Sequence, residues 1–174
     1  MGVEATVTTT YLELPSPAYF RPAYSSDPNL SLWQMQEPFP DLYRYLYTTV
    51  GRALYWEERL GWSDALLYAQ LMRPSVAVLI LNQGGIPAGF IELEAEAAEP
   101  GTEIVHFGLA SAFRGKGLGK HLLSSGIQRA LNDGATRVWL HTDNFDGVHA
   151  MANYQARGFQ AYRTITHTET CELV

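Results

Sequence analysis

One cysteine, Cys171, stands in 174 residues, and a lone thiol closes no internal disulfide. Nothing in its surroundings marks it as a nucleophile. No Cys/His cluster has metal-ligand spacing, so no metal is expected. No apolar stretch approaches the ~18 residues of a membrane span, and Met1 is not followed by a charged-then-apolar leader, so a soluble, cytoplasmic chain without a membrane partner is expected. Positive charge is scarce as well, with 12 Lys and Arg against 18 Asp and Glu for a net charge of −6. A protein that holds nucleic acid by neutralising phosphates needs a basic face, so nucleic acid is not an expected partner. What is present is 47% hydrophobic residues in a length that suits one well-buried domain and is short for two.

The basic residues are most informative where they meet glycine. Arg114-Gly115-Lys116-Gly117-Leu118-Gly119, with Lys120 next, stands between an apolar run, Ile104 to Leu109, and an amphipathic run, Leu118 to Leu131. A strand feeding through glycines into a helix start makes an anion cradle. Orphan N–H groups point outward, the helix dipole adds partial positive charge, and phosphates approach where a Cβ would collide. The phosphate loop of nucleotide triphosphatases needs Ser or Thr after Gly-Lys, but His121 follows Lys120. The dinucleotide fingerprint needs a third glycine where Lys120 stands. Upstream, Glu92, Glu94, Glu96, Glu99 and Glu103 cluster, so a cationic substrate and an anionic ligand would each meet opposite charge. A merely solvated acidic hairpin explains the same glutamates.

Periodicity sketches the remainder. Thr6 to Leu14 reads as a strand and Pro15 to Pro28 as a loop. Leu42 to Leu60 reads as helix interrupted near Gly51, and Ser63 to Met72 as a second helix capped by Ser63 or Asp64. Val76 to Leu81 and Ile86 to Glu94 form a hairpin through Asn82-Gln83-Gly84-Gly85, followed by a strand from Glu103 to Leu109. Beyond the glycine loop and its helix come a strand (Thr136 to Thr142), a helix (about Gly147 to Arg157) and a strand from Phe159. Ala150 and Tyr154 share a helix face, and Gly158 suits the cap that ends it.

Arg-x-x-Gly-x-Gly at Arg114 to Gly119, with Ala150, Tyr154 and Gly158-Phe159 beyond it, resembles the GNAT superfamily of acyl-CoA-dependent N-acetyltransferases across residues 86–168. The resemblance implies an α/β (α+β) fold, with a mixed, mostly antiparallel sheet of about six to seven strands, about four flanking helices and one splayed strand pair for the cofactor. It implies a single domain over 1–174, with residues 1–75 on the substrate side and 76–168 as the acetyl-CoA-binding core. Acetyl-CoA would be the donor and an amine-bearing small molecule or peptide the acceptor. Backbone groups of Leu109, Ala110 and Ser111 would hold the pantetheine or acetyl carbonyl. The N–H groups of Arg114, Gly115, Lys116, Gly117, Leu118 and Gly119 would hold the pyrophosphate, with charge from Lys120. Relatives often carry Asn three before the motif Ala, where Gly147 stands here, so Asn153 becomes the candidate CoA contact.

Thioester-to-amine transfer needs a neutral amine, yet an alkylamine with pKa ~10.4 is only about one part in a few thousand neutral at pH 7. A base, an oxyanion donor and an acid are therefore required. Glu103 opens the strand to Leu109, and strict alternation puts Glu103, Val105, Phe107 and Leu109 on one face and His106 on the other. Glu103 is the candidate base, its alternative being an exposed strand-initial glutamate. Glu92 on the neighbouring strand is the second candidate, as base or amine anchor. The resemblance makes Tyr154 the acid, its alternative being a core tyrosine, and the Leu109 N–H the oxyanion donor. Ser124 is expected on the solvated side of its helix. Tyr43, Tyr45, Tyr47, Tyr55, Trp56 and Trp62 crowd the N-terminal helices, as core, as a substrate pocket wall or as a homodimer surface. The functions these features leave open are N-acetyl transfer by direct attack, a non-catalytic acyl-CoA sensor, and an interaction module.

Overall fold

The structure, a computed structural model, describes residues 3–171. In chain order its elements are β1 (Val3–Leu14), β2 (Leu30–Gln34), α1 (Pro40–Gly51), α2 (Asp64–Leu71), β3 (Val76–Gln83), β4 (Ile86–Glu94), β5 (Thr102–Leu109), α3 (Leu118–Asn132), β6 (Val138–Asp143), α4 (Val148–Ala156) and β7 (Gln160–Cys171). The strands form one sheet in the order β2-β3-β4-β5-β6-β1-β7. Every neighbouring pair runs antiparallel except β5 and β6. The mixed sheet with four helices agrees with the expected architecture.

Local chemistry explains most boundaries. Ser63 caps α2, its Oγ accepting the Leu66 N–H at 3.2 Å. Pro40 sits in the first turn of α1, where a missing N–H costs nothing. Gly84 and Gly85 alone bridge Gln83 and Ile86, which makes the two-residue hairpin between β3 and β4. β2 is not among the expected strands. Its five residues carry too short an alternation to announce themselves, and pairing with β3 decides their conformation.

Alternation along β3 and β4 sorts side chains onto two cores. On one face Leu79, Leu81, Ile91 and Leu93 pack under Leu118, Leu122, Leu123 and Ile127 of α3. On the other, Val76, Val78, Ile80 and Phe90 pack under Tyr43, Leu46 and Val50 of α1 and Leu67 of α2. Tyr43 and Tyr47 are thus core, whereas Tyr45 and Tyr55 are exposed. Ser124 departs from expectation: it is fully buried and accepts the Ala23 N–H at 2.9 Å. The segment after β1 crosses α3 at this point, also donating the Ser25 N–H to His121 Nδ1 at 3.1 Å, which periodicity within α3 cannot foresee.

Candidate active site

The site begins where a parallel pair comes apart. β5 and β6 are registered only at Thr102 with Val138 and Glu103 with Trp139. Beyond that point they diverge, and a cleft of about 1050 Å³ opens between them, walled by β5 from Glu103 to Leu109, the end of β6, the start of α3, α4 and residues 53–58. Unpaired strand backbone faces this gap. The Ala110 N–H donates to Ala88 O across the sheet at 2.8 Å. By alternation the Leu109 N–H points away from β4, toward the cleft. The Leu109 carbonyl on that side accepts the Arg114 Nε–H at 3.1 Å, which ties the loop to the strand end.

After a 3₁₀ turn over Ser111–Phe113, Gly115 and Gly117 both take φ of +75°, a conformation that disfavours any side chain. These two residues turn the chain so that α3 starts at Leu118 with no side chain capping it. Its first N–H groups are therefore available to an anion. Lys116 Nζ lies 5.5 Å from the centre of the Phe113 ring. Gly119 belongs to the first helical turn and lines the cleft. A Cβ there would sit 3.6 Å from Asn153 Nδ2 and 3.8 Å from Leu109 Cδ1, ordinary contacts. Gly119→Ala should therefore keep or slightly raise stability, by roughly 0.5 kcal/mol from helix propensity. If phosphates pack on this turn, CoA affinity should fall about tenfold or more, about 1.4 kcal/mol. Calorimetric titration with CoA beside a melting curve checks both; unchanged affinity would remove the turn from the donor site. Gly117→Ala is a poorer probe because its left-handed backbone strains with any substitution.

Of the residues singled out in the sequence, the cleft brings together Glu103, Leu109, Arg114, Gly119, Asn153 and Tyr154. Ser111, Gly115, Lys116, Gly117 and Lys120 shape the turn at its end, and Leu118 contributes backbone alone because its side chain is buried in the core. The Ala110 N–H goes to Ala88, and its carbonyl accepts from Phe113 with one lone pair left over. Asn153 accepts from Arg157 Nη1 at 3.3 Å, so its amide nitrogen remains beside Gly119.

Two expectations about the β4–β5 pair need correction. Glu92 pairs with His106 but Leu93 pairs with Ile104, so Val105 is an extra residue, a β-bulge. The bulge resets the alternation: Ile104, Phe107 and Leu109 join the α3 core, while His106 contacts Tyr47 and Trp56 on the opposite face. Glu92 lies on that face too, as its contact with His106 shows, and Glu103 opens the strand on it one residue before the inward Ile104. His106 and Glu103 thus share a side. Second, Glu92 is only 1% exposed and is clamped by Arg59, whose Nη1 lies 2.7 Å from both carboxylate oxygens. Burial alone would raise its carboxyl, but the hydrogen bond and charge of His106 and the Arg59 guanidinium outweigh burial and hold it below the usual range. Glu92 is therefore a structural anion, neither a free base nor a docking point for an amine.

Glu103 is in the contrasting state. Burial, with smaller contributions from the charges of Glu94, Glu92, Glu99 and Glu58, pushes its carboxyl up to about 7. His141 Nε2 stands 3.8 Å away, with burial holding that imidazole below its ordinary value. On α4, Tyr154 packs its ring on Phe107 and Phe159 at centroid distances of 6.1 and 6.0 Å. Burial first, then the Asp146 charge, keeps its hydroxyl protonated. At the mouth Tyr55 and Phe145 meet edge to face at 5.8 Å, joining residues 53–58 to the β6–α4 turn. His106, His141 and Asp146 carry no motif, and only the bulge and the splay bring them to the cleft.

Among known proteins, residues 32–159 match the Acetyltransferase (GNAT) family. A mycothiol acetyltransferase of Corynebacterium efficiens is 37% identical over 113 residues, covering 63% of this chain and 38% of that protein, so the chain spans well under half of that relative's length. A GCN5-related N-acetyltransferase from Kribbella flavida superposes with a TM-score of 0.64 at 17% identity, covering 96% of this chain and 59% of that one. An aminoglycoside acetyltransferase from a soil metagenomic sample superposes at 0.63 and 15% identity, covering 76% of this chain and 90% of that one. These two likenesses concern the fold, whereas the match over 32–159, with the splayed pair and glycine loop inside it, shows that the chain belongs to the acetyltransferase (GNAT) family.

Proposed function

We propose that this chain transfers an acetyl group from acetyl-CoA to a primary amine by direct attack within a ternary complex. The observation that carries this reading is that one cleft is lined by both a carboxyl held at about 7 and a protonated phenol. The donor lies along the splayed edge, its pyrophosphate on the N–H groups of the turn from Arg114 to Gly119 and its acetyl oxygen toward the Leu109 N–H. Residues 76–168 hold this donor, while α1 and residues 53–58 face the acceptor.

Glu103 takes a proton from the acceptor ammonium, which a carboxylate of pKa about 7 does far better than one near 4.5. The nitrogen then attacks the carbonyl carbon, and the Leu109 N–H stabilises the oxyanion. As the C–S bond breaks, the Tyr154 hydroxyl protonates the leaving thiolate. Aminoglycosides belong on the acceptor panel because an aminoglycoside acetyltransferase shares the fold.

Free-thiol release from acetyl-CoA against amines, amino acids, aminoglycosides and peptides tests the reading, with CoA binding measured calorimetrically on the same sample. Amine-dependent release supports it. Binding without release from any amine would indicate a sensor, and absence of binding would overturn the donor assignment.

A further inference from the structure

An ammonium that becomes an amide loses two protons from one nitrogen, one to free the lone pair and one after the C–N bond has formed. Glu103 accounts for the first. His106 has what the second requires. Its ring lines the cleft, and its Nδ1 lies 3.0 Å from Glu92 Oε2. An ionised carboxylate only accepts hydrogen bonds, so Nδ1 carries a hydrogen, and whenever the ring holds a single proton its lone pair lies at Nε2. The rings of Tyr47 and Trp56, at 5.2 and 4.9 Å, fix the imidazole plane.

What fixes Glu92 is unusually complete. Arg59 is 6% exposed, and its Nη1 holds both Glu92 oxygens and the Tyr43 hydroxyl. Its guanidinium lies 4.9 Å from the Trp62 ring centre, and the Arg59 backbone N–H donates to Tyr47 Oη at 3.3 Å. A core of this size gains little from a buried ion pair in itself, since well-packed apolar residues serve stability equally well. An orienting carboxylate behind an imidazole gives the pair a purpose.

We propose that His106 Nε2 is the second proton acceptor of the reaction and that Glu92 and Arg59 are positioning residues that hold its tautomer. This rests on the acetyl-transfer reading above. Glu103 takes the ammonium proton, the nitrogen pair forms the C–N bond, and the carbonyl π pair moves to oxygen. His106 Nε2 then takes a proton from the cationic nitrogen, and the C–S bond breaks as the carbonyl re-forms. The thiolate takes the Tyr154 proton. Of the two protons then on Glu103 and His106, one returns to Tyr154 and the other leaves to solvent. Glu92 faces the new imidazolium directly with Arg59 behind it. Tyr47 of α1 meets its ring edge to face, His141 across the cleft is coupled to its charge, and Glu58, Glu103, Asp143 and Asp146 line the same cleft.

His106→Gln tests this, with kcat measured at saturating amine so that ionisation of the free acceptor drops out. A fall of about 10²-fold is expected. CoA affinity should stay at the wild-type value, and the acid limb of log kcat against pH should become shallower by about one unit of slope, because one of two required deprotonations is gone. Glu92→Gln keeps an acceptor for Nδ1–H but removes the charge, so the acid limb should move to lower pH with KM unchanged. If Glu92→Gln does not fold, His106→Gln decides alone. Wild-type kcat in His106→Gln, or a reduced kcat with the wild-type slope, overturns the proposal while leaving acetyl transfer standing. No thiol release from the wild-type protein with any amine overturns both.

Discussion

Glu103→Gln is expected to lower kcat by about 10² to 10⁴-fold, the span ascribed to a positioned base, and at the same time to raise thermal stability above neutrality. Both effects have one cause. Burial and the surrounding carboxylates lift the Glu103 carboxyl from 4.5 to about 7. Between those two values the folded protein holds a proton that the unfolded chain has released, so Glu103 makes stability fall as pH rises across this window. Below 4.5 both states are protonated and the contribution is constant; above 7 the penalty is complete. Glutamine has no charge to desolvate. The melting temperatures of the two proteins should therefore lie closest at pH 4, separate through the window, and differ most at pH 8, with the variant higher. A difference independent of pH would refute the raised carboxyl. Full turnover by the variant would remove Glu103 from the base role even if the stability profile agreed.

Arg59→Met should be the most damaging single change to the fold that leaves the glycine loop intact. Methionine matches the stem of arginine but strands Glu92 as an uncompensated buried carboxylate, at a cost of about 3–5 kcal/mol. It also removes the donor to Tyr43 and the Trp62 contact, which hold residues 53–62 against α1. Urea unfolding should show the loss as a lower midpoint with the same slope. Adding Glu92→Met should recover most of it, because an apolar pair of similar volume carries no desolvation penalty. The double variant should remain inactive if Glu92 orients His106. An Arg59→Met midpoint within about 1 kcal/mol of wild type would mean that water reaches Glu92.

The glycine loop was legible because backbone requirements are written directly into residue type: Gly115 and Gly117 stand where φ is +75°. Tyr154 was legible because its motif spacing and its burial on a helix face are both local periodicities. His106 was misplaced because a bulge at Val105 has no glycine or other mark, and one unpaired residue reverses every facing beyond it. Glu92 looked like a candidate base because a carboxylate in the sequence gives no sign of a guanidinium 33 residues upstream. Ser124 looked solvated because the strap that buries it belongs to residues 20–30, far away in sequence.

The sequence by itself determined the order of strands and helices apart from β2, the hairpin at Gly84-Gly85, the glycine turn at Arg114 to Gly119 and the family. Each of these depends on conformational preferences within a few residues or on motifs of fixed spacing. Tertiary structure alone decided which carboxylate is a structural anion and which titrates near neutrality, where β5 leaves β6, and which histidines reach the cleft. Those outcomes depend on desolvation and on charges brought together from β4, β5, β6 and residues 53–62, and electrostatic energy follows distance through space and burial, not separation along the chain.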